Sequence, residues 1–199
     1  FEAALDLLAT CQIVFLRKSS ASLDLLTEAS LVSRFRPPGR NLSCLYGGYY
    51  VAELLSGLTE EYDPHPVLYA EATATLERLA SADDVRLPLL RFELVTLRDI
   101  GQMPVLDRCV ACSRPNGEAD ELGFWVSAGG LICSQCQKPE YRTPKIQAGT
   151  AALLSQISEP DAPLPDVPMD RLEEMRRVLT PAICHVLERR PKMLRYLPL

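Results

Sequence analysis

Histidine is nearly absent from the 199-residue chain, which has only His65 and His185. His65 lies between two prolines in a turn, and His185 falls in the last helical stretch. Neighbouring helix positions point apart, so Cys184 and His185 do not make a nucleophile–base pair. Both histidines read as structural or surface residues. A Gly-x-x-x-x-Gly-Lys loop is missing, which excludes a P-loop ATPase. No apolar run approaches about 20 residues, so no membrane-spanning helix is expected. A basic start followed by an apolar stretch and a cleavage site is also missing, and no secretory signal is expected. The first residue is Phe1 and not Met, so the native start is expected to lie upstream. Internal repeats and low-complexity tracts are absent. Carboxylates are numerous but scattered, and no constellation argues for an enzyme.

What is present is an ordinary globular composition, 47% hydrophobic and 24% charged, with a formal net charge of -5. That balance argues against a strongly basic nucleic-acid binder. The average hides a gradient. Residues 37–105 hold 10 acids and 5 bases, whereas residues 176–199 hold 6 bases against the single acid Glu188. The six are Arg176, Arg177, Arg189, Arg190, Lys192 and Arg195. Such a segment reads either as a solvated helix face with cations at its C-terminal end or as an anion-binding surface.

Four of the seven cysteines form a pattern. Cys109-Val-Ala-Cys112 is followed, after twenty residues, by Cys133-Ser-Gln-Cys136. Two Cys-x-x-Cys knuckles at this separation match the four-cysteine zinc spacing. Four thiolates fill a tetrahedral ion and leave no open position, so the zinc would be structural. Disulfides are one competing reading, but nothing indicates an oxidising compartment. A thioredoxin-like motif is another, but it needs one Cys-x-x-Cys and not two. A zinc-dependent thiol enzyme or redox sensor ranks last, because a closed site ties up the thiols. Cys11, Cys44 and Cys184 read as small buried hydrophobes.

The periodicity predicts an α+β fold. Cys11–Leu16 reads as a strand, Arg17–Ser22 as a polar turn, and Leu23–Phe35 as a strand pair. After the break at Pro37-Pro38-Gly39, a mainly helical body begins at Asn41, a predicted cap. Leu42, Leu45, Tyr46, Tyr49, Ala52 and Leu55 space a first helix, in which Gly47-Gly48 predicts close approach of another backbone. Helices follow at about Val67–Leu79 and Leu87–Ile100. The zinc ribbon, residues 106–141, is inserted next, with a strand over Leu122–Ser127. Thr143 as cap and Pro144 as first residue predict a fourth helix to about Ile157. A last helix runs from Arg171 to about Glu188, with Pro181 expected to kink or split it.

Several stretches resemble one known family. They are Leu45-Tyr-Gly-Gly-Tyr-Tyr-Val-Ala-Glu53-Leu-Leu55, Leu90-Arg-Phe-Glu-Leu94, Gly101-Gln-Met-Pro104-Val-Leu106 before the first knuckle, and Gly129-Gly-Leu-Ile-Cys133 at the second. The ending Arg190-Pro-Lys-Met-Leu-Arg195 is similar to the family's basic ending. In order, over about residues 40–199, they resemble RecO, the recombination mediator family of bacterial DNA repair, in its zinc-containing form. The resemblance implies a cytoplasmic, nucleoid-associated mediator that binds single- and double-stranded DNA and anneals strands. It also implies engagement of the acidic tail of single-strand-binding protein, and of RecR, in loading RecA. Residues 1–36 would be the last strands of an N-terminal OB-fold, and residues 37–199 the helical domain with its ribbon. Arg91 and the bases of residues 176–195 are the expected contacts for DNA or the acidic tail, and for Arg91 an ion pair with a neighbouring acid is the favoured reading. The alternative is a scaffold that binds proteins only, with the same structural zinc.

Overall fold

The computed structural model describes residues 5–18, 23–37, 39, 41–81, 83–117, 121–138, 143–160 and 162–198. The fold is α+β, with five helices, a two-stranded sheet and a three-stranded sheet, both antiparallel, among the described residues. Strands β1 (Ala9–Leu16) and β2 (Leu25–Arg34) form the first sheet. Leu23–Phe35 therefore holds one long strand where a pair was expected. Its register against β1 is interrupted between Thr10 and Cys11 and between Val14 and Phe15. Of the predicted turn Arg17–Ser22, residues 19–22 lie outside the described residues, as do Pro38 and parts of the ribbon at 118–120 and 139–141.

Helix α1 (Leu42–Leu58) starts where the sequence indicates, with the Asn41 side chain accepting from the Ser43 amide at 3.1 Å. The glycines of α1 meet side chains and not the expected backbone. A Cβ on Gly48 would lie 2.8 Å from both Leu8 and Phe35, and one on Gly47 would lie 3.2 Å from Leu79. Gly48 is thus where the base of the hairpin seats on α1. Helix α2 (Pro66–Ser81) follows. His65 pins its start, with Nδ1 2.5 Å from Asp99 and Nε2 3.3 Å from Asp63.

Helix α3 (Arg86–Asp99) is the centre of the body. Every residue from Pro88 to Leu97 is buried. A helix apolar on all sides must be surrounded, and the neighbours of α3 are α1, α2, α4 (Ala148–Ile157) and α5 (Met169–Val186). Two charges, Arg91 and Glu93, sit within this buried run and need internal partners, since an unpaired buried charge is costly.

Between α3 and α4 the chain builds the second sheet from β3 (Glu121–Trp125), β4 (Gly130–Ile132) and β5 (Lys145–Gln147), in the order β4-β3-β5. β5 corrects the expected helix start at Thr143-Pro144. The Pro144 carbonyl accepts the Phe124 amide at 2.9 Å, so sheet pairing holds these residues extended. Helix α4 begins only after Gln147. The predicted strand over Leu122–Ser127 ends at Trp125 in a 3-10 turn, and Gly129, at φ 67°, reverses the chain. Pro181 neither splits nor ends α5, which is one helix through it. Proline costs the bond to the carbonyl four residues back. That carbonyl belongs to Arg177, an exposed residue.

The small sheet is not a separate unit. Leu122, Phe124, Leu131, Ile132 and Ile146 share one apolar cluster with the helical residues Leu97, Leu154 and Met175. Among the described residues no helix is long and apolar enough to cross a membrane.

Candidate functional site

The four knuckle cysteines converge. Their Sγ atoms all lie within 4.8 Å of one another, and Cys112 and Cys133 are 3.9 Å apart. All four are free thiols. Four sulfurs at about 2.3 Å from a tetrahedral zinc are spaced by roughly 3.8 Å. The cluster therefore fits a four-thiolate ion after a small contraction.

Backbone geometry prepares the cluster. In the first knuckle the Ser113 amide bonds the Cys109 carbonyl at 2.8 Å, and the Cys109 amide bonds Arg114 O at 2.9 Å. Ser113 closes this loop in the left-handed region at φ 59°. In the second knuckle the amides of Cys136 and Gln137 share the Cys133 carbonyl, each at 3.0 Å. The knuckles are joined by Val110 N to Leu131 O at 2.8 Å and by a bridge between Val105 and Gly130. Gly130 has to be glycine. A Cβ there would lie 2.6 Å from the Val110 side chain and 2.8 Å from the Val105 carbonyl.

Burial alone would push the Cys109 thiol up. The amides of Cys133, Cys112 and Ala111 point at its sulfur, outweigh burial, and lower it to about 6. Cys136 is pushed up to about 12, chiefly by hydrogen bonding with Cys112 and Cys133, with the Cys109 charge contributing. One thiolate thus forms easily, and the next is opposed by it. A bound cation removes that opposition.

The seven expected cationic contacts divide into two groups. Arg91 and Arg176 face inward, which bears out the ion-pair reading of Arg91 and overturns the reading of Arg176 as a surface contact. Arg91 is 1% exposed. Its Nε donates to Glu71 at 3.2 Å, and its guanidinium also donates to the carbonyls of Glu159, Pro160 and Ala162. Arg176 is 8% exposed and donates to both oxygens of Glu93 at 2.6 and 2.7 Å. Glu93 also accepts from the Tyr50 hydroxyl at 2.6 Å, so α1, α3 and α5 meet at one carboxylate. Burial, with Glu93 beside it, holds the Tyr50 phenol well above its ordinary value.

Arg177, Arg189, Arg190, Lys192 and Arg195 are exposed. Four of them lie on the segment after α5, which Glu188 starts in the left-handed region at φ 56°. This segment folds back along α1. Arg189 donates to Glu53 at 3.0 Å. Arg195 lies over the Tyr196 ring at 4.6 Å, and Tyr196 stacks on Tyr46 of α1 at 4.9 Å. Between α1 and the segment is a cavity of about 610 Å³, whose lining includes Tyr49, Ala52, Arg189 and Lys192. Sequence reasoning missed Glu53, Glu71 and Glu93 as partners. The available signal was that Glu53 and Glu93 each stand inside a family-like stretch, flanked by apolar residues.

A family model described as "Recombination protein O C terminal" matches residues 40–195. A DNA repair protein RecO of Rhodopirellula baltica is 33% identical over 165 residues, covering 82% of this chain and 61% of that protein. The DNA repair protein RecO of Anaeromyxobacter sp. (strain K) is 33% identical over 189 residues, covering 90% and 72%. That of Bacillus pumilus is 29% identical over 173 residues, covering 83% and 64%. The chain thus spans 61% to 72% of the length of these relatives.

Proposed function

The chain belongs to the recombination protein O family, and on that premise we propose that it acts in bacterial DNA repair as a recombination mediator. It works by charge matching and not by bond-making chemistry. In the full protein, cytoplasmic and nucleoid-associated, it binds and anneals DNA strands, engages the acidic tail of single-strand-binding protein and RecR, and helps load RecA onto coated DNA. The observation that carries this reading is the cationic segment Arg189–Arg195 held on the surface of a chain whose net charge is -5. Phosphates or carboxylates would be met by Arg190, Lys192 and Arg195, with Arg177 on the adjoining helix, and counterions would be released.

Cys109, Cys112, Cys133 and Cys136 hold one structural zinc in this proposal. When bound, the ion cross-links the two knuckles and contributes folding free energy. The chain's own part is to supply four thiols, the amides that stabilise the first thiolate, and the close approach at Gly130 that brings the knuckles together. We read residues 1–36 as the closing strands of an N-terminal OB-fold and residues 37–199 as the helical domain. The exposed apolar side chains of both hairpin strands, Ile13, Phe15 and Val32 among them, support that division. A scaffold that binds only proteins is the second reading, favoured by the acidic total charge.

The test is fluorescence anisotropy of two labelled probes, a single-stranded oligonucleotide and a peptide with the acidic tail sequence, titrated with the chain at several salt concentrations. Saturable binding of both that weakens with salt, and falls at least tenfold in R190A/K192A/R195A, is expected. Peptide binding without oligonucleotide binding would favour the scaffold. Binding of neither probe would overturn the proposal. Elemental analysis of the purified protein is expected to give one zinc per chain.

A further inference from the structure

The first and last family-like stretches are nearly 140 residues apart, yet they pack together, and one side chain carries the hydrogen bonds between them. Glu53, on the outer face of α1, is 13% exposed. One oxygen accepts from Arg189 Nη1 at 3.0 Å and from the Lys192 amide at 2.8 Å. The other accepts from the Met193 amide at 2.9 Å. The two amides open the 3-10 turn Met193–Tyr196, and amides at such a start have no partner within the turn. Glu53 therefore caps a turn that belongs to a distant part of the chain. One helical turn later, Gly57 leaves room for the segment. A Cβ there would lie 2.6 Å from Leu187 and 3.4 Å from the Arg189 guanidinium. Two turns earlier, Tyr46 stacks under Tyr196. Residues 46, 53 and 57 are spaced by seven and four, which puts them on one face of α1.

We infer that this face is a seat, and that Glu53 is the positioning residue that holds the basic segment in the one conformation from which Lys192, Arg190 and Arg195 meet a polyanion. The inference rests on the proposed anion-binding role and adds the residue that organises it. Glu53 touches no ligand in this account. Its charge is consumed by Arg189 and the two amides, which leaves the remaining cations uncompensated by it. Fixing the segment in advance removes ordering cost from the binding step. Held this way, Arg189 and Lys192 border the cavity over Tyr49 and Ala52, so an anion at the rim would have an apolar wall beside it.

The inference makes an unusual demand. By charge alone, E53Q removes an acid from a polyanion site and should tighten binding. By positioning, it should weaken binding, because the new amide NH₂ faces groups that are themselves donors. The experiment uses the whole chain, with far-UV circular dichroism to confirm folding. It measures amide exchange at Lys192 and Met193 and oligonucleotide affinity at fixed salt. E53Q is expected to speed exchange at those two amides about tenfold or more, and to weaken oligonucleotide binding about fivefold. E53D keeps the charge but is one methylene too short to reach all three donors. It should shift both readouts in the same direction by less, and it serves if E53Q does not fold. Unchanged exchange, or affinity that is equal or tighter in E53Q, would overturn the positioning role while the anion-binding reading stands. A parent chain that binds no oligonucleotide would sink that reading instead, and the exchange rates would still report on the seat.

Discussion

Replacing Arg176 with Met should be among the most destabilising single changes in the helical body. Met keeps much of the side-chain volume and removes only the guanidinium. Glu93, which is 0% exposed, would then be left with the Tyr50 hydroxyl as its one remaining partner among the described residues. Removing one member of a buried ion pair costs about 3–5 kcal/mol. Arg176 Nη2 is buried without an acceptor among the described residues, so the parent pair is imperfect and the lower half of that range applies. For a chain of this size 1 kcal/mol moves the melting temperature by roughly 2–4 °C. Arg176→Met should therefore lower it by about 6–16 °C, read by circular dichroism and by urea midpoint. The companion variant removes the whole cluster, as Y50F/E93L/R176M. With no buried charge or hydroxyl left unpaired, it should recover to within about 1 kcal/mol of the parent, because apolar replacement of a buried pair is often neutral. If Arg176→Met costs less than about 1 kcal/mol, or the triple variant is no better than the single one, the claim that Glu93 depends on Arg176 is wrong.

Two further outcomes follow from the site geometry. Chelator treatment of zinc-loaded protein should lower its melting temperature and expose Leu122, Phe124 and Leu131 to hydrogen exchange, since these residues share the helical core; a ribbon that melts without disturbing α4 and α5 would contradict that sharing. Acid should weaken the body through Glu53 and Asp84. Burial would raise Glu53, but the Lys192 and Met193 amides and Arg189 hold it below its ordinary value, and Arg86 does the same for Asp84. Their stabilisation is complete above the unfolded carboxylate values of about 4 and is lost as pH falls through the lower folded values. Unfolding titrations of the parent and E53Q should therefore converge as the pH falls below about 4.

The helices and knuckles were legible because local rules decide them. Asn41 caps α1 as its side chain suggests, and the cysteine spacing alone brings four sulfurs together. The misreadings came where distant chain intervened. Thr143-Pro144 has the local signature of a helix start, but pairing with β3 keeps it extended. Arg176 looked like surface charge, and the ion pair favoured for Arg91 had no named partner, because sequence shows charge and not what it meets. Nothing near them in the chain announces Glu71 or Glu93, which reach them from 20 and 83 residues away. The position of Glu53 in an apolar, family-like stretch marks it, but its three donors could not be read from the sequence, since they follow it by 136 to 140 residues.

That last separation has a consequence on the ribosome. At about 5–20 residues per second, roughly 7–28 s pass between synthesis of Glu53 and synthesis of its donors. Through that interval the nascent α1 carries an unpaired carboxylate, an open groove at Gly57 and an unstacked Tyr46. The first helix of the body is thus completed only once the Arg189–Tyr196 segment has left the ribosome.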